Sequence, residues 1–437
     1  VFDQAFSTGP NTPSSFPSLF TGSHPESYGQ VSYGNLLEHR RPIAEILQNE
    51  RYVTGAFHSN PYLSQIFGYN RGFDFFSDQC AEANGTRHSS IFNLLGRELI
   101  RSLHSQTPFA PFIRFLNKSI GILKRFENFF HFLMRYGIQA YSIYARASKV
   151  TEEAKKFITT HKEGKFFLWI HYMDPHTPLL PPPSYIEKID GFEIRRKDCL
   201  ELYRKQVSKK HDLSDHEIEK LKALYSAEIR YLDEEIGHLI EYLETNNLIG
   251  NTSIALTADH GEEFNEHGDL LHKEKLYDEL LHVPLLVWDP DLKPKRIRTP
   301  VSLIDLSPTL LHLLDVEIPQ EMQGHSLLPL IKGESRSRSK IISEVVHTER
   351  WNLPSSSIKI ALREGQWKLI HNRVGKDELY NLKEEPKETV NLINEERQVA
   401  RKMLKTLRQH LANRAPSKLQ LKSKIKKKAQ YVKTQYL

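Results

Sequence analysis

The sequence predicts an α/β sandwich: a large domain with a mostly parallel central sheet and helices on both faces, followed by a small antiparallel subdomain. Residues 166–170 and 253–256 are short apolar runs that follow segments of helical periodicity, which is typical of buried strands in a parallel sheet. Beyond residue 335 the pattern changes to short alternating runs, at 341–346, 358–362 and 367–371, which indicate antiparallel strands. A chain of 437 residues is long enough for one large domain and a smaller one.

The composition is that of an ordinary globular protein. Hydrophobic residues make up 39% and charged residues 26% of the chain, and the formal net charge is +6. The two cysteines, Cys80 and Cys199, are too few for a disulfide framework, so they leave the cellular compartment open. No apolar run approaches the roughly 18–20 residues that span a bilayer. We therefore expect a soluble or peripheral protein without a specific nucleic-acid partner.

Residues 1–29 predict a strand, a turn rich in Gly, Pro and Asn, and a short helix. The free N–H groups at a helix N-terminus form a ready site for an anion. Thr12 lies at the start of this predicted helix. The residue type also suits the N-cap position, which would give Thr12 a purely structural role.

Residues 91–147 form a basic segment with apolar side chains at helical spacing. It follows a predicted amphipathic helix at 35–50 and a predicted strand at 52–56. The basic segment either covers the mouth of a site, lies on an anionic membrane surface, or packs on the core as a helical hairpin.

The apolar strand at 166–170 ends in a segment that contains His171, Asp174 and His176. Ligands bind at the carboxyl ends of parallel strands in open α/β sheets. His176 is therefore a candidate pocket residue. The alternative for both histidines is a structural loop position.

A long helix, which begins at a capping box of Ser214 and Glu217, leads to the strand at 253–256. Asp259 and His260 follow this strand at the same predicted edge of the sheet. A carboxylate oxygen and an imidazole nitrogen side by side suit a divalent cation. The alternative is a strand-end turn in which Asp259 caps the chain.

The region around Asp259 resembles the second metal motif of the sulfatase family, which belongs to the alkaline-phosphatase superfamily. The matching residues are Asp259-His260-Gly261-Glu262, Glu266-His267-Gly268, Lys273, Leu276-Tyr277-Asp278-Glu279 and Val283-Pro284-Leu285. Further similar stretches lie at residues 1–29, 52–76, 166–183, 214–290, 300–330 and 358–392, so the resemblance covers most of the chain. It implies a sulfatase-like sandwich and a metal-dependent ester hydrolase.

The resemblance also implies roles for individual residues. Thr12 falls in the nucleophile position, and its oxygen would then join Asp259 and His260 as a metal ligand. His176 corresponds to a histidine that contacts the ester oxygen, and Lys273 to a lysine that binds substrate. We predict catalytic roles for Thr12, His176 and Lys273, metal ligation by Asp259, His260 and Thr12, and substrate contacts from His171 and His272.

Two positions depart from the sulfatase pattern of a Cys or Ser, oxidised to formylglycine, with an Arg four residues later. This chain has Thr12 and Phe16 there. Threonine cannot form the aldehyde hydrate, which favours direct attack of the hydroxyl on phosphorus. We expect hydrolysis of sulfate or phosphate esters, with phosphoryl chemistry favoured. The alternatives are a phospho-group transferase or phosphodiesterase of the same superfamily, and a catalytically inactive protein that binds an anionic ligand.

The resemblance implies a divalent metal ion as cofactor. One Asp and one His in the second motif favour a single ion, Ca²⁺, Mg²⁺ or Mn²⁺, with Zn²⁺ as a further option. The family's other ligands are two acidic residues on a first strand, and nothing before Thr12 supplies that strand. We therefore expect about 35–45 preceding residues, the length of one strand–loop–helix unit. Without them this chain is expected to have little activity.

The chain divides into three predicted parts. These are a catalytic domain at 1–334 that includes the basic insertion at 91–147, an antiparallel subdomain at 335–395, and a basic helical or mobile tail at 396–437. The expected partner is an anionic ester on a glycan, a lipid or a small molecule. The basic insertion and tail also suit an anionic membrane surface.

Overall fold

The computed structural model describes residues 1–24, 40–78, 144–208, 213–334, 340–345, 359–372 and 375–414. Its strands are β1 (Phe2–Phe6), β2 (Val53–His58), β3 (Phe75–Asp78), β4 (Phe166–Ile170), β5 (Ile254–Thr257), β6 (Glu263–Phe264), β7 (Leu270–Leu271), β8 (His282–Trp288), β9 (Val301–Ser302), β10 (Lys340–Val345), β11 (Lys359–Glu364), β12 (Trp367–Asn372) and β13 (Glu378–Asn381). Its helices are α1 (Thr12–Thr21), α2 (Ile43–Asn49), α3 (Ala147–His161), α4 (Pro183–Ile186), α5 (Arg196–Gln206), α6 (Asp215–Thr245), α7 (Asp278–Leu281), α8 (Leu306–Leu313), α9 (Leu328–Lys332) and α10 (Arg397–Arg414). Most of the predicted basic insertion and the tail beyond residue 414 lie outside the described residues.

In the described part of the large domain, two sheets of three and four strands accompany the small sheet β6-β7, and their topology matches the predicted parallel sheet only in part. In the first sheet, β2 pairs in parallel with both β3 and β4. In the second, with the order β5-β8-β1-β9, β8 runs antiparallel to β5 and β1, whereas β1 runs parallel to β9. The chain passes from β5 to β8 through the site loop and the short α7, whereas a parallel neighbour needs a long crossover, usually a helix. The second sheet is therefore mixed, within the predicted α/β class.

The apolar strands β4 and β5 are less buried than the sequence predicts. Every residue of both strands is partly exposed. Both are outer strands of their sheets, so each has one side without a hydrogen-bonded neighbour among the described strands. Phe166 and Ile254 nevertheless pack into one apolar cluster with Phe157 of α3.

Helix α1 begins in a way that rules out the capping role for Thr12. Its N-cap is Asn11, whose side-chain oxygen accepts a hydrogen bond from Ser14 N at 3.2 Å. Thr12 is the first helical residue and Pro13 follows it. Proline suits the first turn of a helix because a backbone N–H there would have no carbonyl partner within the helix. The interpretation of Thr12 as an N-cap is therefore wrong, and its hydroxyl is left for the site.

The capping box at the start of α6 is confirmed. Ser214 N donates to Glu217 Oε2 at 2.9 Å, and Glu217 N donates to Ser214 Oγ at 3.4 Å. The 31-residue helix then packs on α3 and α4 as scaffold. Within the described ranges, no helix combines the length and the apolar character needed to cross a bilayer.

The predicted antiparallel subdomain is present as the sheet β10-β11-β12-β13. One face of this sheet packs against Met403 and Leu407 of α10. The other face, which includes Val345, packs against Phe6 and Leu281 of the large domain. The subdomain is thus joined to the end of β1 and to α7, close to the predicted site.

Candidate active site

A tight turn between β1 and α1 positions Thr12. Gly9 in this turn lies so close to α1 that an added Cβ would be 2.4 Å from Ser14 Cβ, which explains the glycine. The Ser7 hydroxyl contacts the Gly9 carbonyl at 2.7 Å and also the Asp259 carbonyl. One side chain therefore ties the turn before α1 to the segment that follows β5.

The structure brings Thr12, Asp259 and His260 together. Thr12 Oγ1 lies 3.4 Å from His260 Nε2, and Asp259 Oδ2 lies 3.6 Å from the same nitrogen. Ser15, one turn along α1, donates its hydroxyl to Asp259 Oδ2 at 3.3 Å. The sequence interpretation missed Ser15, because a serine inside a helix carries no signal until the facing strand end is known.

The charges at this site are set by burial and by mutual contact. Burial by itself would raise the pKa of Asp259, but His260, His171 and the Thr12 hydroxyl outweigh it and lower that pKa. Burial lowers the pKa of His260 and prevails over the attraction of Asp259. A carboxylate beside a neutral imidazole is the protonation state that a metal ion requires.

The donor set fits the divalent ion that the resemblance implies. Adjacent ligands around a six-coordinate ion at about 2.4 Å lie about 3.4 Å apart. The separations of 3.4 and 3.6 Å around His260 Nε2 are close to this value. His260 Nδ1 is 2.8 Å from Gly261 O, which places the proton on Nδ1 and leaves Nε2 as a ligand atom.

Two of the other predicted histidines lie beside His260. The ring centroids of His260 and His272 are 4.4 Å apart, and those of His272 and His176 are 5.0 Å apart. Burial, aided by His272, lowers the pKa of His176 to about 4. A row of imidazoles therefore extends from the Thr12 hydroxyl to the segment after β4.

Glu262 is a site residue to which the sequence interpretation gave no role. Its Oε2 lies 2.9 Å from His272 Nδ1, so the carboxyl group fixes the orientation of that ring. Burial raises the pKa of Glu262 to about 7. The signal was its place in the matched motif directly after Gly261.

His171 lies near Asp259 and packs against Phe16 of α1. Its ring centroid is 5.3 Å from that of Phe16. Burial lowers the pKa of His171, and burial together with His171 lowers the pKa of His58 to about 3. With lowered pKa values the two rings are uncharged near neutral pH, so neither supplies a positive charge to an anionic ester. The substrate contact assigned to His171 stays a prediction.

Phe16 occupies the position where the sulfatase pattern has an arginine. It is buried, and its ring packs against Phe20, Tyr69 and Trp169 at centroid distances of 5.7–6.3 Å. An arginine side chain in this aromatic cluster would place a charge in an apolar environment at a high cost. The local core is thus built for Phe16, and this position supplies no cation to the site.

Lys273 makes a salt bridge to Asp269. The neighbouring Lys275 makes another one to Glu263, at 2.8 Å. Asp269 therefore already holds the Lys273 ammonium group. The substrate contact assigned to Lys273 stays a prediction, and it requires the ammonium to reach the substrate from this salt bridge.

The turn after His260 is held by α7. Gly261 N donates to Leu280 O at 2.8 Å, and a Cβ on Gly261 would be 2.0 Å from Glu279 O. Glu279 also contacts His267 Nδ1 at 2.6 Å. The glycine is required by this close approach of two backbones, and it fixes where His260 points.

Comparison with protein-family models identifies two matches. The model described as Sulfatase matches residues 1–316. The model described as N-sulphoglucosamine sulphohydrolase, C-terminal, matches residues 265–416.

Curated relatives match over part of their length. Arylsulfatase K of Xenopus laevis is 29% identical over 249 residues, which are 55% of this chain and 44% of the relative. Choline-sulfatase of Rhizobium meliloti (strain 1021) is 29% identical over 184 residues, which are 41% of this chain and 35% of the relative. The chain thus spans less than half the length of these two relatives.

Solved structures share the fold at low identity. A protein solved in complex with its substrate D-glucosamine-2-N,6-O-disulfate has a TM-score of 0.67 and 17% identity, covering 95% of this chain and 91% of its own. The phosphonate monoester hydrolase of Agrobacterium radiobacter has a TM-score of 0.69 and 17% identity, covering 94% and 88%. These likenesses confirm the fold class expected from the sequence.

Proposed function

The chain belongs to the sulfatase family, and from that premise we propose a metal-dependent ester hydrolase in which the Thr12 hydroxyl attacks phosphorus. The observation that carries this proposal is the position of Thr12 at the first turn of α1, with Oγ1 3.4 Å from His260 Nε2. A divalent ion held by Thr12, Asp259 and His260 would lower the pKa of the hydroxyl and neutralise charge on the ester.

The residues around Thr12 favour phosphate over sulfate esters. Formylglycine forms from Cys or Ser, and Thr12 has a methyl group where the aldehyde hydrogen would be. Phe16 also removes the arginine that accompanies the formylglycine in sulfatases. The site therefore keeps the family's second metal motif and lacks the two features that the sulfatase pattern has at the nucleophile position and four residues later.

Each neighbouring side chain has a role in the proposed reaction. The bond from Thr12 Oγ1 to phosphorus forms while the bond from phosphorus to the leaving oxygen breaks, and the Thr12 proton passes to solvent. His272, oriented by Glu262, protonates the leaving oxygen, while His176 contacts the ester oxygens. Water then hydrolyses the phosphothreonine ester: one proton of the water restores the Thr12 hydroxyl and the other leaves with the phosphate. His272 regains its proton from solvent, which took up the Thr12 proton in the first step.

The names of the fold relatives are compatible with either ester. One structural neighbour acts on a sulfated glucosamine and another is a phosphonate monoester hydrolase. The shared fold thus accommodates attack at sulfur and at phosphorus. The substrate class proposed here therefore rests on Thr12 and Phe16 and not on the fold.

Steady-state rates of the full-length protein on an aryl sulfate, an aryl phosphate monoester and an aryl phosphodiester with the same leaving group test the proposal. We expect faster turnover of a phosphate ester than of the sulfate ester. Thr12→Ala should lower kcat/KM about 10³-fold, equal to about 4 kcal/mol, whereas Thr12→Ser should keep substantial activity. Thr21→Ala, the same change at the far end of α1, serves as the matched control.

Each alternative gives a different outcome. Faster turnover of the sulfate ester, lost in Thr12→Ala, would contradict the phosphate proposal within the same site. Transfer of the phosphoryl group to an added alcohol would identify a transferase, and preference for the diester a phosphodiesterase. An inactive binding protein would show no turnover, and neither metal nor Thr12→Ala would change its affinity for the anion.

A further inference from the structure

Two histidines and a glutamate come together where three distant parts of the chain meet. His24 follows the C-terminal end of α1, Glu344 lies on β10, and His410 lies in the last turns of α10. Within the described residues, this is a group of metal-ligating side chains whose ligand atoms all lie within 4.8 Å of one another. It shares no residue with the candidate active site.

The backbone on either side of this cluster is held by the fold. Glu344 N donates to Thr8 O at 2.8 Å, which pins the end of β10 to the turn before α1. His24 N donates to the Gln323 side chain at 2.8 Å. The His410 side of the cluster is anchored one turn earlier by Leu407, which is buried against the sheet. The three side chains thus project from fixed positions, as ligands of a specific site do.

The donor set is that of a transition-metal site. Imidazole nitrogen with one carboxylate oxygen suits Zn²⁺, which takes two His and one Glu in several proteins. The His24 and His410 rings meet edge to face with centroids 5.1 Å apart, so they are not stacked flat against each other. Ligand atoms around tetrahedral Zn²⁺ lie about 3.4 Å apart. Because the three ligand atoms lie within 4.8 Å of one another, each separation must shorten by at most about 1.4 Å to reach this spacing.

Two of the three side chains are buried, which distinguishes this cluster from the exposed acidic groups that are common on protein surfaces. Glu344 is fully buried and His24 is 6% exposed, whereas His410 is partly exposed. A divalent ion shared with the two imidazoles would balance the negative charge of this buried carboxylate. The partial exposure of His410 leaves a side on which water completes the coordination.

We propose that His24, Glu344 and His410 bind a divalent transition-metal ion, with Zn²⁺ as the best match, at a site separate from the active site. The ion fastens the closing helix α10 and the antiparallel sheet to the end of α1. Its role is structural: it stabilises the packing of the C-terminal subdomain on the helix that carries Thr12.

The test uses the full chain carrying Asp259→Asn, which weakens the active-site ion, and Zn²⁺ alone as the probe. Bound zinc is measured after dialysis against micromolar Zn²⁺, with His410→Ala and Glu344→Gln added in turn. His238→Ala, an exposed histidine on α6, is the matched control. We expect one equivalent of zinc in the Asp259→Asn protein and its control, and binding weaker by about 100-fold or more in the two ligand variants.

A second measurement covers variants that fold poorly. A chelator should lower the unfolding temperature of the Asp259→Asn protein and leave that of His410→Ala unchanged. Co²⁺ in place of Zn²⁺ should give the visible absorption of a low-coordinate His site, lost in Glu344→Gln. Zinc content equal in all variants, or no zinc and no effect of chelator in the Asp259→Asn protein, would overturn the proposal.

Discussion

Lys368 joins the antiparallel subdomain to the segment that follows the metal motif. The side chain is 2% exposed, and its Nζ lies 2.7 Å from Asp278 Oδ1 and 2.6 Å from Glu388 Oε1. Asp278 N in turn donates to Glu388 Oε2 at 2.6 Å. Asp278 is the first residue of α7, the helix that holds the turn after His260. The ion cluster therefore fixes the start of α7 and, through it, the position of that turn.

We expect Lys368→Met to destabilise the fold strongly. Asp278 keeps a second cation, since Arg363 lies 2.7 Å from its Oδ2, but the buried Glu388 carboxylate loses the cation that compensates it. Removing one partner of a buried ion pair costs about 3–5 kcal/mol. Lys340→Met in the same sheet is the control, because Lys340 is 45% exposed and 3.9 Å from Glu364, and such pairs contribute at most about 1 kcal/mol.

Denaturant unfolding of the single variants and of Lys368→Met with Glu388→Gln measures the coupling. The double variant should recover part of the loss, because no unpaired carboxylate remains. The loss in Lys368→Met should also be greater at about pH 8 than at about pH 5, because burial raises the pKa of Glu388 and protonation removes its charge. A loss below about 1 kcal/mol, no larger than that of Lys340→Met, would refute the reasoning.

Three further predictions concern α6, the turn after His260, and α1. Burial, and secondly the nearby charge of Asp174, raises the pKa of the Glu228 carboxyl group well above its ordinary value. Glu228 therefore contributes to stability below about pH 4.5, and this contribution is lost as the pH rises through the folded-state pKa. Glu228→Gln should therefore remove this loss, and unfolding free energies measured across the pH range would show a flatter profile than the wild type. Gly261→Ala should lower metal affinity and activity while the subdomain stays folded, because its Cβ would be 2.0 Å from Glu279 O; metal titration followed by circular dichroism checks this, and unchanged affinity would contradict it. Ser15→Ala removes the hydroxyl donated to Asp259, and kinetics should show a loss of about tenfold in kcat/KM, the equivalent of one hydrogen bond of about 1.4 kcal/mol; an unchanged rate would show that this contact is incidental.

Residues that follow predicted strands lie close together in the structure, while their roles in the site stay predictions. Asp259 and His260 follow β5 and His176 follows β4. The two strands belong to different sheets, and yet the rings of His260 and His176 both lie beside His272. Short apolar runs also located β4 and β5 within one residue of their observed positions. These features depend on local periodicity, which the sequence carries directly.

Contacts between distant segments could not be predicted in this way. Ser15 reaches Asp259 across 244 positions, and Glu262 meets His272 through a loop whose path the pattern leaves undefined. The helix cap fell on Asn11 and not on Thr12, because both residue types suit a cap and only the backbone angles separate them. The sequence predicted a mostly parallel sheet, but β8 runs antiparallel to β5 and β1. The length of the connection between two strands does not reveal whether a crossover helix fills it.

Mass spectrometry of the Thr12 peptide after a chemical quench tests the central claim most directly. During turnover of an aryl phosphate, we expect a phosphoryl group on Thr12. This modification should be absent before substrate is added, and it should also be absent in Thr12→Ala. The same quench during exposure to an aryl sulfate should leave Thr12 unmodified. Continued turnover of the phosphate ester by Thr12→Ala, or sulfation of Thr12 with no phosphorylation, would contradict the assignment of Thr12 as the nucleophile for phosphorus.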